Sequence, residues 1–291
     1  MKPTLLMAQT GGQLGNQLFQ AAHLVALGAE TGLRVLNPAF HAYADAFVGS
    51  RPGAVPTYPT SVQRPGTTKI RKKTHDILLT GAKIIRRMPS NALAQSITCE
   101  GFTPAYDIDL SEPARLAKLM NTPVTALFGW RFRNTTLTKK HDTTIRSYFR
   151  FENTAASDHV IRQARLEADI IIGLHVRHGD YAVFQNGRYF LTLEEYLIAA
   201  RHVAEQCVPR RVSIMVFSDS PQDLPSSPNM NIIRGPGSVI GDLQAMSQCD
   251  YIIAVPSTFS RWAAFVGRVP LGLIARDQVK LSISQFRNIQ C

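Results

Sequence analysis

At 291 residues the chain can bury one large core or two medium ones, and its length favours two domains. The 45% hydrophobic share is that of a globular protein, and without an apolar run of roughly eighteen residues a helical membrane-spanning protein is excluded. A net charge of +11 calls for anionic partners, but it suits nucleic acid, phospholipid and nucleotide-linked sugar equally.

Residues 4–8 read as a short apolar strand, followed by Gly11-Gly12-Gln13-Leu14-Gly15-Asn16-Gln17 and then by Leu18, Ala21, Ala22, Val25 and Ala29 at helical spacing. Residues 33–36 return as a second strand, which predicts a right-handed βαβ opening. The glycine-rich stretch matches neither the dinucleotide fingerprint nor the phosphate-binding P-loop. Its glycines still permit close backbone approach to a ligand, and the helix start beyond offers N–H groups to an anion. Asn16 and Gln17 add amides suited to a phosphate or a sugar hydroxyl, the plainer reading being a tight turn with an Asn cap. The first residues run straight into a strand, so neither a signal peptide nor an anchor is expected.

Residues 37–66 are rich in Pro, Gly, Tyr and Ser and read as loops around an acceptor, with His41, Tyr43 and Asp45 as surface residues able to touch a sugar. Basic residues crowd the stretch 64–87: Arg64, Lys69, Arg71, Lys72, Lys73, Lys83, Arg86 and Arg87. They read as a solvated helix face or, more sharply, as a peripheral contact with an anionic membrane carrying lipid-linked acceptors. Asp107 and Asp109 form a D-x-D, a pattern that in some glycosyltransferases holds a metal. Pro104 and Ser111-Glu112-Pro113 frame it instead as loop and helix-start chemistry. Residues 127–132 supply an aromatic and basic cluster, and Ile145, Tyr148 and Phe149 a helical run. Polar residues interrupt the pattern at 151–158, placing domains at 1–155 and 156–291.

The second half alternates strands and helices. An apolar run at 170–174 breaks into His175, Arg177, His178, Asp180 and Tyr181; a second at 211–217 breaks into Ser218-Asp219-Ser220; a third at 251–255 breaks into Pro256-Ser257-Thr258-Phe259-Ser260. Three polar clusters at strand carboxyl ends would share one rim, where open α/β sheets bind ligands. Thr192 and Glu195 form a capping box before an apolar stripe from Leu193 to Cys207. Further elements read as a strand at 231–233, helices near 243–248 and 259–266, and a last strand at 270–275. The alternation predicts a parallel, doubly wound sheet.

Arg177 suits a diphosphate, which its guanidinium can hold bidentately, and Ser257 and Thr258 at a helix start can bind the same group. Asp219 suits a base edge, a ribose, or the orientation of another group. His175, His178 and Asp180 have metal-ligating types, but alternate strand positions face opposite ways and no metal site is expected. Cys99, Cys207, Cys249 and Cys291 form no C-x-x-C pair, so neither zinc nor a disulfide framework is indicated and a reducing cytoplasm is the expected location.

Together the segments G-G-Q-L-G-N-Q-L-F-Q at 11–20, H-V-R-H-G-D-Y at 175–181, F-S-D-S at 217–220, D-L-Q-A-M-S-Q-C-D-Y-I-I at 242–253 and P-S-T-F-S at 256–260 resemble the α-1,2-fucosyltransferases of glycosyltransferase family 11. The resemblance implies a GT-B architecture of two Rossmann-like domains with parallel sheets facing a cleft, the N-terminal one on the acceptor side and the C-terminal one binding the GDP-sugar. It implies inverting, metal-independent transfer of L-fucose from GDP-fucose, typically to O2 of a galactoside, on a glycan or lipid-linked acceptor. By position Arg177, His175 and Asp180 would form the catalytic centre. Gly15, Asn16, Ser218, Asp219, Asp242, Ser257, Thr258 and Phe259 would join Arg177 in holding the donor, without a cofactor. The chain departs from the family pattern at His178, where a second arginine is usual, at Ser220, where an acidic residue is usual, at Val255 and Pro256 in place of Ser-Asn, and at Arg261-Trp262 in place of a tryptophan pair. Rival readings are a transferase using another nucleotide-linked sugar and a basic nucleic-acid-binding protein. The latter lacks an interleaved aromatic and basic motif, so no nucleic-acid partner is expected.

Overall fold

The computed structural model describes residues 2–60, 66–91, 93–101, 103–226 and 230–291; Arg64 of the basic stretch lies outside them. The chain divides into two compact units, Met1–Asn153 with Cys291, and Thr154–Gln290.

Unit 1 runs β1 (Thr4–Gln9), α1 (Leu14–Thr31), β2 (Arg34–Leu36), β3 (Thr57–Tyr58), α2 (Thr68–Arg87), β4 (Ala94–Thr98), α3 (Pro113–Asn121), β5 (Val124–Phe128), α4 (Thr135–Lys140) and α5 (Asp142–Tyr148). Its five-stranded sheet has the order β3-β2-β1-β5-β4. All pairs are parallel except β2 with β3. The opening βαβ unit is present, with α1 ending at Gly32 in the left-handed conformation (φ 74°) that a residue without Cβ adopts freely.

Residues 37–60 are the expected loops and turns, with β3 their one short strand, but packed ones: Phe40, Ala44, Phe47 and Ser50 are buried, β3 pairs with β2, and the rings of Phe40, Phe47 and Phe149 meet at centroid distances of 5.6–6.1 Å. One expectation needs correction here. The basic stretch is helix α2, but Arg71 is not on a solvated face. It is fully buried, pairs with Asp45 at 2.6 Å and donates to the carbonyl of Arg51. Asp45 is thereby committed to structure.

Unit 2 runs α6 (Ala155–Glu167), β6 (Ile170–Val176), α7 (Leu193–Glu205), β7 (Val212–Ser218), β8 (Asn231–Arg234), α8 (Val239–Met246), β9 (Tyr251–Ala254), α9 (Thr258–Gly267) and β10 (Leu271–Leu273). The sheet order is β10-β9-β6-β7-β8, and every pair is parallel. This is the doubly wound order, the chain starting at the centre and building outward on either side. The central strand β6 is buried at all seven positions. That explains its unbroken apolar run, since helices cover both faces. The capping box of Thr192 and Glu195 is formed, and Tyr196, Leu197, Ala200 and Val203 of α7 pack on Ile172, Leu174, Val176 and Val216.

Candidate functional site

Sheet register brings the three polar clusters together. Val176 of β6 lies opposite Ser218 of β7, and His175 lies opposite Ala254 of β9, so the segments after the three strands leave one rim side by side. Between β6 and β9 the strand order reverses direction, and such a switch point opens a crevice at the carboxyl edge.

Arg177 stands on this rim with its side chain 15% exposed. Its Nη1 is 2.7 Å from Asp219 Oδ2 and its Nη2 donates to Asp180 Oδ1 at 2.6 Å. The guanidinium lies 5.3 Å from the centre of the Tyr181 ring, and the Arg177 backbone N–H donates to the Tyr196 hydroxyl at 3.2 Å. Asp219 also fixes the loop that carries Arg177: its Oδ1 accepts the backbone N–H groups of His178 at 2.9 Å and Gly179 at 3.2 Å. Residue 179 must be glycine for this, because a Cβ there would lie 2.5 Å from Asp219 Oδ2. Of the roles open to Asp219, the structure displays the orientation of another group.

The start of α9 closes the other side. Ser257 is its N-cap and accepts the Phe259 N–H at 3.3 Å, while the Tyr181 hydroxyl donates to the Pro256 carbonyl at 2.7 Å. Tyr181 thus touches both the guanidinium and the turn before Ser257 and Thr258. First-turn amides of a helix of this length favour an anion. His175 sits beneath the rim rather than on it: it is 4% exposed, its ring is 5.3 Å from that of Phe259, and its Nδ1 has no hydrogen-bond partner among the described residues. Burial, helped by Arg177, lowers its pKa to about 4. It is therefore neutral near pH 7.

Beside Asp219 a concavity of about 330 Å³ opens at the ends of β7 and β8, lined among others by Ser218, Gln222, Arg234, Gly235 and Asp242. Asp242 is buried, accepts the Gly237 N–H at 2.7 Å, and has its pKa pushed up to about 6 by burial. Gln222 and Arg234 were not singled out in the sequence, where the only signal is the Gly235-Pro236-Gly237 turn between a strand and a helix. Gln222 donates to Ser218 Oγ at 3.2 Å, and Arg234 donates to the Gln222 carbonyl. His178, standing where the family usually has a second arginine, is 2.8 Å through Nε2 from the Leu191 carbonyl, takes a 3.1 Å contact from Gln222 on Nδ1, and stacks on Phe190. It is a fixed strut of the loop.

In unit 1, Gly15 and Asn16 lie in the first turn of α1 rather than in a loop before it, and the N-cap is Gln13, not Asn16. Gln17 donates back to the Gly12 carbonyl at 3.1 Å. The D-x-D carboxylates are engaged locally: Asp107 pairs with Arg131 at 2.6 Å, and Asp109 accepts from Ser111 at 2.7 Å and from Asn134 at 2.8 Å. Among the described residues no three His, Cys, Asp or Glu side chains are grouped to hold a metal ion.

The model of glycosyl transferase family 11 matches residues 115–284, more than half of the chain. The chain belongs to glycosyl transferase family 11. Its fold is that of solved fucosyltransferases. A mutant of Arabidopsis thaliana FUT1 in complex with GDP superposes with a TM-score of 0.63 at 11% identity, covering 98% of this chain and 73% of that one. POFUT1 in complex with GDP-fucose gives 0.52 at 12% identity, over 97% and 96% of the two chains. NodZ α-1,6-fucosyltransferase, co-crystallised with GDP, gives 0.51 at 16%, over 93% and 94%. No curated protein sequence matches this family 11 member.

Proposed function

We propose that this family 11 glycosyltransferase moves L-fucose from GDP-fucose to a sugar hydroxyl, O2 of a galactoside, with inversion and without a divalent metal. The observation that carries the reading is the meeting of Arg177, the start of α9 and the 330 Å³ concavity on one rim of unit 2. The GDP and GDP-fucose of the solved neighbours support the choice of donor.

The diphosphate is assigned to the space between the Arg177 guanidinium and the first turn of α9, where a cation and a helix N-terminus both favour anionic oxygens. The concavity falls within the range of about 300–1,000 Å³ that suits small ligands, and takes the nucleoside. There the Asp242 carboxylate can accept the N–H donors on a guanine edge, a feature uracil and thymine lack in that form. The acceptor oxygen attacks C1 of the fucosyl group from the face opposite the diphosphate, the C1–O bond to phosphate breaks, and GDP leaves with the electron pair. Arg177 neutralises the charge that grows on the departing oxygen. Asp180 now occupies Arg177 Nη2 and is half exposed. Donor oxygens that replace it free its carboxylate to take the acceptor proton. Buried His175 supports Phe259 from below and is a positioning residue.

Thermal shift with GDP, UDP and dTDP, followed by mass analysis of products from GDP-fucose and a small acceptor library, tests this. Selective stabilisation by GDP and a fucosylated product are expected. Preference for a non-guanine nucleotide overturns the donor assignment.

A further inference from the structure

Helix α2 carries two apolar faces, and folding uses one. The inner face sets Leu78, Leu79, Ala82 and Ile85 against Leu6 and Ala8 of β1 and Ala126 and Phe128 of β5. On the outer side Ile70, Ile77, Ile84 and Met88 are 51%, 62%, 56% and 52% exposed. Seven-residue steps drift by only about 20° around a helix, so the three isoleucines form one line, and Met88, four residues on, falls in it. At 1.5 Å per residue the line is about 27 Å long. Leaving so much apolar surface to water is unfavourable, and a contiguous exposed stripe of this kind marks an interaction surface.

The stripe is bordered along one side by exposed Lys69, Lys72, Lys73, Lys83 and Arg87, and the helix contains a single acid, Asp76. We infer that the outer face of α2 docks on an anionic phospholipid bilayer, its isoleucines entering the headgroup boundary and its lysines pairing with lipid phosphates. Charge decides against a second copy of the chain as occupant. The face offers a second copy five exposed cations and one aspartate, so pairing two copies gains no set of ion pairs along the stripe, whereas a layer of acidic headgroups neutralises all five. Lysine stems can lie along the apolar surface while their ammonium groups stay at the phosphates. Among the described residues no helix is long and apolar enough to cross a membrane, so the contact is peripheral. This inference stands apart from the donor assignment, because α2 belongs to unit 1 and the donor rim is built from residues of unit 2.

The test is flotation of the full chain with vesicles of mixed phosphatidylglycerol and phosphatidylcholine, and with phosphatidylcholine alone. Binding to the anionic vesicles is expected, weakened by salt and at least about tenfold tighter than to the neutral ones. Lys69→Glu with Lys73→Glu weakens it by about fivefold per lysine removed. Ile77→Ser with Ile84→Ser weakens it by at least about tenfold, with unchanged thermal midpoint and GDP response. The inference is overturned by equal partition to both vesicle types, by no binding to either, or by a solution dimer that Ile77→Ser with Ile84→Ser dissociates while vesicle binding stays unaltered.

Discussion

Asp219 holds both the Arg177 side chain, at 2.7 Å, and the backbone of the turn that follows it, through the N–H groups of His178 and Gly179. One carboxylate thus fixes the position and the aim of the guanidinium. Asp219→Ala removes the acceptor of two turn amides and one of the two carboxylates on the Arg177 guanidinium, a loss of about 1–3 kcal/mol. A lowered thermal midpoint and a weaker GDP response are the expected outcomes, measured together by thermal shift with and without nucleotide.

Arg177→Ala should act on the reaction rather than on the fold, because the side chain sits on the rim and its backbone contact to Tyr196 is retained. Deleting one preorganised donor to a developing oxyanion costs about 2.7–4 kcal/mol, roughly a hundred- to a thousandfold in kcat. Single-turnover kinetics with GDP-fucose, beside a circular dichroism spectrum, reads both. A variant retaining full activity would remove the guanidinium from the mechanism.

Much of unit 2 was legible in the sequence, because its central strands are covered on both faces and therefore read as apolar runs that stop at charged turns. Unit 1 was less so. Strands β4 (A-Q-S-I-T) and β5 (V-T-A-L-F) carry polar residues at buried positions, and Gln95 donates to Thr125 Oγ1 at 3.0 Å between the two strands. A satisfied polar pair inside a sheet erases the pattern on which strand reading depends. The same limit applies to the site. Arg177 and Ser257 announce themselves by position, whereas the grip of Asp219 on the 178–179 backbone and the roles of Gln222 and Arg234 exist only once β7 and β8 lie beside β6.

Asp242 gives a pH signature. Its carboxyl pKa is raised by burial from 3.8 to about 6, so folding takes up a proton, and the stability this group contributes is complete below pH 3.8 and lost as pH rises through about 6. Under the proposed donor pose ligand binding runs the other way, since the ionised carboxylate is the form that accepts both N–H donors of the guanine edge. GDP affinity should therefore fall as pH drops below about 6, and Asp242→Asn should abolish that dependence while weakening binding near pH 7. Calorimetric titration of GDP on either side of that pH checks it. An unchanged profile in Asp242→Asn places the titrating group elsewhere.

Arg71 tests a structural claim independent of catalysis. Its side chain is fully buried and is paired to Asp45, whose other oxygen accepts the Thr68 hydroxyl at 3.0 Å. Removing Asp45, whose own side chain is half exposed, takes the counter-charge from a buried cation that keeps only the Arg51 carbonyl, a loss of about 1–3 kcal/mol. Asp45→Ala should lower the denaturation midpoint sharply, whereas Lys72→Ala, one residue along on the exposed face, should leave it within about 0.5 kcal/mol.

Chelation separates the two readings of the acidic pair in unit 1. A metal held by Asp107 and Asp109 would have to displace Arg131 from the first carboxylate and both Ser111 and Asn134 from the second, and Asn134 is also the N-cap of α4, its Oδ1 accepting the Leu137 N–H at 2.7 Å. Binding would thus disturb the entry to a helix as well as an ion pair, with no third ligand grouped nearby among the described residues. EDTA should leave transfer from GDP-fucose nearly unchanged, and Asp109→Asn should lower the thermal midpoint without altering the response to manganese. Activity lost on chelation and restored by manganese, and lost again in Asp107→Asn, would transfer the diphosphate chemistry from Arg177 to a metal.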